Sequence, residues 1–224
     1  MAGAVVFDIN ETVLDLGALD PLFARWFGDP SARRVWFAQS IHYALTLAAM
    51  REYRSFGAIG LAALESIAEQ REISLPADAA QTLRQALLQL PAHPDVTPAL
   101  ELLRSAGFTT VALSNNSLAA LHEQLRNAEI AHLFDDIISV EETGALKPAP
   151  EVYRLGVERL QLPPGVIWMV AAHGWDIAGA SRAGLRGAFV ARPGQTTDPF
   201  APPEIIGDNL VAIAAAIIET TQDE

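Results

Sequence analysis

The chain has 224 residues, no cysteine, and 27 acidic against 15 basic side chains, for a formal net charge of −12. Without thiols neither a disulfide framework nor a thiolate metal site can form. An acidic surface without a basic stripe argues against nucleic acid or an anionic membrane face as partner. Half of the residues are hydrophobic, enough for one large core or for a core carrying an inserted module.

The first apolar run, AVVF at 4–7, begins almost at once and ends in Asp8. That start leaves no room for a signal peptide, so a soluble cytoplasmic protein is expected. Residues 16–91 then read as successive helices with no convincing strand. They run from Asp20-Pro21 to Gly28, from Ser31 to about Tyr53, roughly from Gly57 to Arg71, and from Pro76 to Leu90. Val35 to Met50 is apolar nearly all round, which suits the inside of a small bundle. PAHPDVTP at 91–98 reads as a return linker.

From there strands and helices alternate. Thr97-Pro98 offers an N-cap and a first-turn proline, with Gly107 as the stop. TTVALS at 109–114, DIIS at 136–139, VIWMVAA at 166–172 and GAFVA at 187–191 are apolar without alternation, as parallel strands covered on both faces should be. Ser117 can cap a helix carrying Leu118, Leu121 and Leu125, and Pro150 opens another with Val152, Leu155 and Leu160. LVAIAAAII at 210–218 is too short to span a bilayer and reads as a buried helix. The expected architecture is α/β, a Rossmann-like doubly wound parallel sheet formed by residues 1–15 and 92–224, with an inserted helical cap at 16–91. A module inserted just behind the first strand sits where it can cover the carboxyl ends of the strands.

Four polar segments fall at those carboxyl ends or at helix starts: Asp8 after the first strand, Ser114-Asn115 after the second, Lys147 before the proline-opened helix, and Asp176 after the fourth strand. Their motifs, FDINETVLD, LSNNS, GALKPAPEVY and VAAHGWD, resemble in order and spacing the four motifs of the haloacid dehalogenase superfamily. They are most similar to its L-2-haloacid dehalogenase branch. The resemblance implies a Rossmann-like core with a helical cap, Asp8 as nucleophile, Thr12 as the hydroxyl that orients it, and Lys147 as its partner. It also implies Ser114 and Asn115 as the pair that holds the substrate carboxylate and the departing halide, Tyr153 as a tyrosine near the site, and Asp176 as the acid linked to water activation. Asn10, Trp36, Phe37 and His173 complete the candidate substrate-facing set.

An aspartate held by Lys147 and by backbone N–H groups stays ionised at neutral pH. It can attack carbon or phosphorus to give an ester that water later cleaves. Phosphatases of this superfamily place a second aspartate two residues after the nucleophile and a metal-binding acid four residues before the later aspartate. Here those positions are Asn10 and Ala172. A hard cation wants several oxygen ligands, so neither metal nor cofactor is expected, and attack on carbon is favoured. His42, His93, His122 and His132 show no ligand spacing.

The expected substrate is a small 2-substituted carboxylic acid, with 2-haloacid dehalogenation as the first reading. One departure keeps a second reading open. The branch carries a cap arginine just after a tryptophan, whereas Trp36 is followed by Phe37, and Arg33 and Arg34 lie on other faces of that helix. An aromatic wall suits a cationic leaving group, as in ring opening of L-azetidine-2-carboxylate. A phosphatase with unusual metal ligation, a degenerate binding module and assembly as a homodimer are the further alternatives.

Overall fold

A computed structural model of the protein describes residues 3–222. Six parallel strands form one sheet: β1 (Ala4–Phe7), β2 (Thr109–Ser114), β3 (Asp136–Ser139), β4 (Ile167–Ala171), β5 (Arg186–Val190) and β6 (Ile205–Gly207), in the order β3-β2-β1-β4-β5-β6. The order reverses at β1, which pairs with β2 on one side and β4 on the other, Phe7 lying opposite Ala112 and Val170. That reversal opens a crevice at the carboxyl ends of β1, β2 and β4, where doubly wound sheets bind ligands. All four β1 residues and all five of β4 are buried. Continuous apolar runs therefore do mark strands covered on both faces.

Four helices lie between β1 and the rest of the sheet: α1 (Asp20–Phe27), α2 (Ala32–Met50), α3 (Phe56–Gln70) and α4 (Ala79–Leu88). The chain leaves for them and returns at one neck. Leu14 and Ala92 form an antiparallel bridge, the Asp15 N–H donates to the Pro91 carbonyl at 2.8 Å, and the His93 N–H to the Val13 carbonyl at 2.9 Å. After it come α5 (Val96–Ser105), α6 (Leu118–Asn127), α7 (Pro150–Leu160), α8 (Gly174–Arg182) and α9 (Leu210–Gln222). Pro150 sits in the first turn of α7, the Ser117 hydroxyl caps α6, and Gly28 ends α1 with φ 68°. No helix of the described residues is long and apolar enough to cross a membrane.

Four expectations need correction. Helix α2 is not enclosed. It buries Trp36, Phe37, Ser40 and Ala44, but leaves Val35 42% and Met50 57% exposed. Its apolar content, lacking periodicity, could not say which face is covered. It also stops at a left-handed Arg51 (φ 57°), short of Tyr53. Helix α5 starts at Val96 rather than after a Thr97 cap, because the Val96 N–H already closes a turn on the His93 carbonyl at 3.1 Å. Strand β6 escaped notice because it is a three-residue edge with Ile206 63% exposed, so no buried run marks it.

Candidate active site

The end of β1 carries Asp8 into the crevice, and the next turn brings Thr12 back to it. The Thr12 hydroxyl donates to Asp8 Oδ2 at 2.9 Å and accepts the Ala172 N–H at 2.9 Å, so the tail of β4 fixes the hydroxyl that fixes the carboxylate. Lys147 Nζ, from the loop before α7, lies 3.1 Å from Asp8 Oδ1 and 2.8 Å from Asp176 Oδ2. The third donor to Asp8 is His173 Nδ1, 3.2 Å from Oδ2. The expected backbone donors are not there. Side chains alone hold the carboxylate among the described residues.

This charge arrangement sets the protonation states. Burial pushes the Asp8 carboxyl up, but the Lys147 ammonium and then His173 pull it well below the usual carboxylate range. Burial would lower Lys147, yet Asp176 and Asp8 together raise it. Burial also raises Asp176, with Lys147 opposing and the Asp8 charge adding to the rise. Tyr153 donates its hydroxyl to Asp176 Oδ1 at 2.6 Å, and its own pKa is pushed well up, first by burial and then by Asp176. A Cβ on Gly179 would lie 2.6 Å from the Tyr153 hydroxyl oxygen, so a glycine on α8 is required for this pair to form. The site thus holds one ionised carboxylate, one ammonium and a second, buried acid behind them.

The cavity against Asp8 is small, about 10 Å³, and is lined by Asn10, Phe37, Ile41, Phe56, Ser114, Asn115, His173 and Trp175. That is room for about one water, with Phe37, Phe56 and Trp175 among the walls that close it. Phe37 and Ile41 come from α2 and Phe56 from α3, which puts helices of the inserted segment directly over the carboxylate. Two larger chambers adjoin it. One of about 330 Å³ shares Asn10, Phe37 and Phe56. The other, of about 470 Å³, shares Phe37, Ile41, His173 and Trp175.

Most of the residues singled out in the sequence converge here, but not all in the expected way. Asn115 lines the cavity while its Oδ1 accepts the Lys147 N–H at 3.0 Å, so it also sets the lysine loop. Ser114 lines the cavity and accepts the Asn116 N–H at 3.1 Å. Phe37 faces Asp8, whereas Trp36 turns away. The Trp36 indole donates to the Gly60 carbonyl at 2.7 Å and its ring lines the 330 Å³ chamber. Tyr153 and Asp176 are fully buried and absent from the cavity lining, so neither meets the substrate directly.

Asn10 forms a reciprocal amide pair with Asn116 (3.3 Å each way), and Asn116 donates to Gln124, whose own amide reaches the Leu87 carbonyl. Such a pair needs a donor and an acceptor on each partner, which asparagine has and an ionised aspartate lacks. The sequence quoted Asn116 in LSNNS but gave no sign of this ladder.

Arg192, just after β5, was also missed. Its guanidinium takes the Thr12 carbonyl (2.9 and 3.2 Å) and both Asp95 oxygens (2.8 and 2.9 Å). A lone cation following a buried strand at the crevice end was the available signal. Arg33, expected on another face of α2, in fact shares the face of Phe37 four positions on, but it is spoken for by Glu11 and Asp20, each at 2.8 Å. Among the described residues no three His, Asp or Glu side chains group to hold a metal ion.

Fold and site define a doubly wound α/β protein with a lysine-bridged aspartate pair at the switch point of a Rossmann-ordered sheet. The family model for haloacid dehalogenase-like hydrolases matches residues 2–184, and the chain belongs to that family. (S)-2-Haloacid dehalogenase 1 of Pseudomonas sp. (strain CBS-3) is 29% identical over 222 residues, 98% of each chain. An (S)-2-haloacid dehalogenase of Xanthobacter autotrophicus is 30% identical over 201 residues, 87% of this chain and 77% of the other. A dehalogenase solved with an intermediate complex is 25% identical with a TM-score of 0.88, over 95% of this chain and 96% of that one. The resemblance to the L-2-haloacid dehalogenase branch holds over nearly the whole chain.

Proposed function

We propose that the protein is a 2-haloacid dehalogenase acting through an ester on Asp8, with residues 16–91 as its cap. The observation that carries this reading is the state of Asp8. It is an anion pinned by Lys147 and Thr12 beside a cavity that contains no second carboxyl group. Asp8 attacks C2 of the substrate, the C–halogen bond breaks, and the halogen leaves with the electron pair as halide. Water then adds to the Asp8 carbonyl carbon, the ester bond breaks, and a 2-hydroxy acid and a proton are released.

A halide needs no proton to depart. That fits Asn10, whose amide is engaged with Asn116, and Ala172, whose side chain offers no ligand. Lys147 keeps Asp8 ionised, and Asp176 with Tyr153 holds Lys147. Ser114, Asn115, Asn10, Phe37 and His173 face the substrate, and Trp36 shapes the adjoining chamber. The named relatives are haloacid dehalogenases, which favours this reading over azetidine ring opening.

The test is a single turnover of L-2-chloropropionate in heavy-oxygen water. Label should appear in the Asp8 carboxylate, and Asp8→Asn should release no chloride. Label confined to the lactate in the first turnover would mean direct attack by water and would sink the mechanism.

A further inference from the structure

The 330 Å³ chamber beside the Asp8 cavity is far larger than the voids of a close-packed interior. Trp36, Phe56 and Leu61 wall it from α2 and α3, Leu87 from α4, and Ala120 from α6. Its polar groups are already engaged. Asn10, Asn116 and Gln124 bond one another and the Leu87 carbonyl. The Ser55 and Ser117 hydroxyls accept N–H groups of the helices they cap, and the Trp36 indole donates to Gly60. Arg84 is the one charged residue among the described lining residues, and it is exposed. What remains for a ligand is apolar surface.

We infer that this chamber seats the substituent on C2, and that the substrates are 2-haloacids carrying an apolar chain of butyl length or longer there. The inference rests on the dehalogenase reading for the chemistry at C2 and adds the class of acid. An apolar cavity of about 150 Å³ holds a benzene ring, so the chamber has room for such a chain, which the space at Asp8 has not. Asn10, Phe37 and Phe56 border both spaces and mark the passage between them. The 470 Å³ chamber is the rival. Glu11, Arg33, Arg34 and His42 line it, and covering such groups with an apolar chain costs them their water.

Two small residues set the size of the chamber. A Cβ on Gly57, in the first turn of α3, would meet nothing within 4 Å, and Ala120 lines the space from α6. Neither borders the cavity at Asp8. A larger side chain at either position therefore takes room from the chain and leaves the reacting groups alone.

The first measurement compares L-2-bromopropionate with L-2-bromohexanoate on the wild type. kcat/KM should rise about fourfold per added methylene, roughly sixtyfold between the two acids. Gly57→Leu and Ala120→Phe should lower the hexanoate value about tenfold or more and leave the propionate value unchanged. Equal kcat/KM for the two acids on the wild type would overturn the inference. So would a preference for 2-bromoadipate that is lost in Arg84→Gln, since the chamber would then be built for a second carboxylate.

The second measurement needs neither turnover nor a variant. Hexanoate added to the wild type should shift the Trp36 indole N–H resonance, and propionate should not. Equal shifts by the two acids, or none by hexanoate, would overturn the inference. Hexanoate binding at Trp36 with no bromide released from any of these acids would uphold the chamber and sink the proposed function. Bromide release without a chain-length preference would do the reverse.

Discussion

Replacing Lys147 by Met tests how the site is held together. The ammonium is 1% exposed and lies 3.1 Å from Asp8 and 2.8 Å from Asp176. At an effective dielectric of about 20, each contact is worth about 5–6 kcal/mol of Coulomb energy, most of it offset by the desolvation of three buried charges. Removing the cation strands two carboxylates, for which a loss of about 3–5 kcal/mol is expected. In a chain of this size that lowers the melting temperature by roughly 6–20 °C.

The pH dependence has a definite sign. In the wild type the depressed Asp8 pKa gives stability that is present above its unfolded value of 3.8 and lost as pH falls through the folded one. The raised Lys147 pKa gives stability that is complete below 10.5 and lost as pH rises through the folded value. Between these limits both contributions are constant. In Lys147→Met, Asp176 loses the partner that opposed its upward shift, so it takes up a proton first and the variant recovers stability as pH falls through its raised folded value toward 3.8. Calorimetry across that range should show the gap to wild type narrowing. Adding Asp176→Asn to Lys147→Met should restore about 0.5–3 kcal/mol, read as a coupling energy in a double-mutant cycle. A melting-temperature drop under about 3 °C, or a gap that stays the same across the range, would refute the account of a charge-compensated core.

Arg192→Met frees the Thr12 carbonyl and leaves the Asp95 carboxylate without its cation, so a loss of about 2–4 kcal/mol and a fall in kcat are expected by urea unfolding and steady-state kinetics. Chelator should leave chloride release unchanged and magnesium should not evoke phosphate-ester hydrolysis, given Asn10 and Ala172. Robust magnesium-stimulated phosphatase activity would reverse the assignment to carbon. Phe37→Arg should leave L-2-chloropropionate turnover unchanged or improved. Turnover of L-azetidine-2-carboxylate alone, lost in this variant, would favour ring opening.

The parts of the molecule that the sequence discloses are those written in local patterns. Buried parallel strands are continuous apolar runs, so β1 to β5 could be read within a residue of their ends. Asp8, Lys147 and Asp176 stand at carboxyl ends or helix starts, and the fold rule that gathers such ends into one crevice made their convergence readable. What could not be read depends on partners far along the chain. Arg192 meets Thr12 across 180 positions, and Asn10 meets Asn116 across 106. The orientation of Trp36 was lost for a related reason. Neighbouring aromatics on a helix point to different faces, and which face meets the crevice is fixed by packing between α2 and α3.

The Glu11 turn shows how helix α2 and the carboxylate come to depend on each other. Glu11 adopts φ 69°, a left-handed conformation that disfavours a side chain, and this reversal is what returns Thr12 to Asp8. A glycine would suit the backbone better. The glutamate instead uses its carboxylate, which binds Arg33 of α2 at 2.8 Å and accepts from Gln195 at 2.7 Å. Arg33 and Phe37 stand four positions apart on α2, so they share one face of that helix. One end of this face holds the turn behind Asp8, and the other closes the cavity over it. Moving α2 as a rigid helix to admit substrate must therefore stretch the Arg33–Glu11 pair as Phe37 withdraws. A side-chain swing of Phe37 leaves that pair intact. Access by rotamer change preserves the geometry of the carboxylate, whereas access by helix displacement loosens it, which ties alignment of Asp8 to the seating of α2 through Arg33.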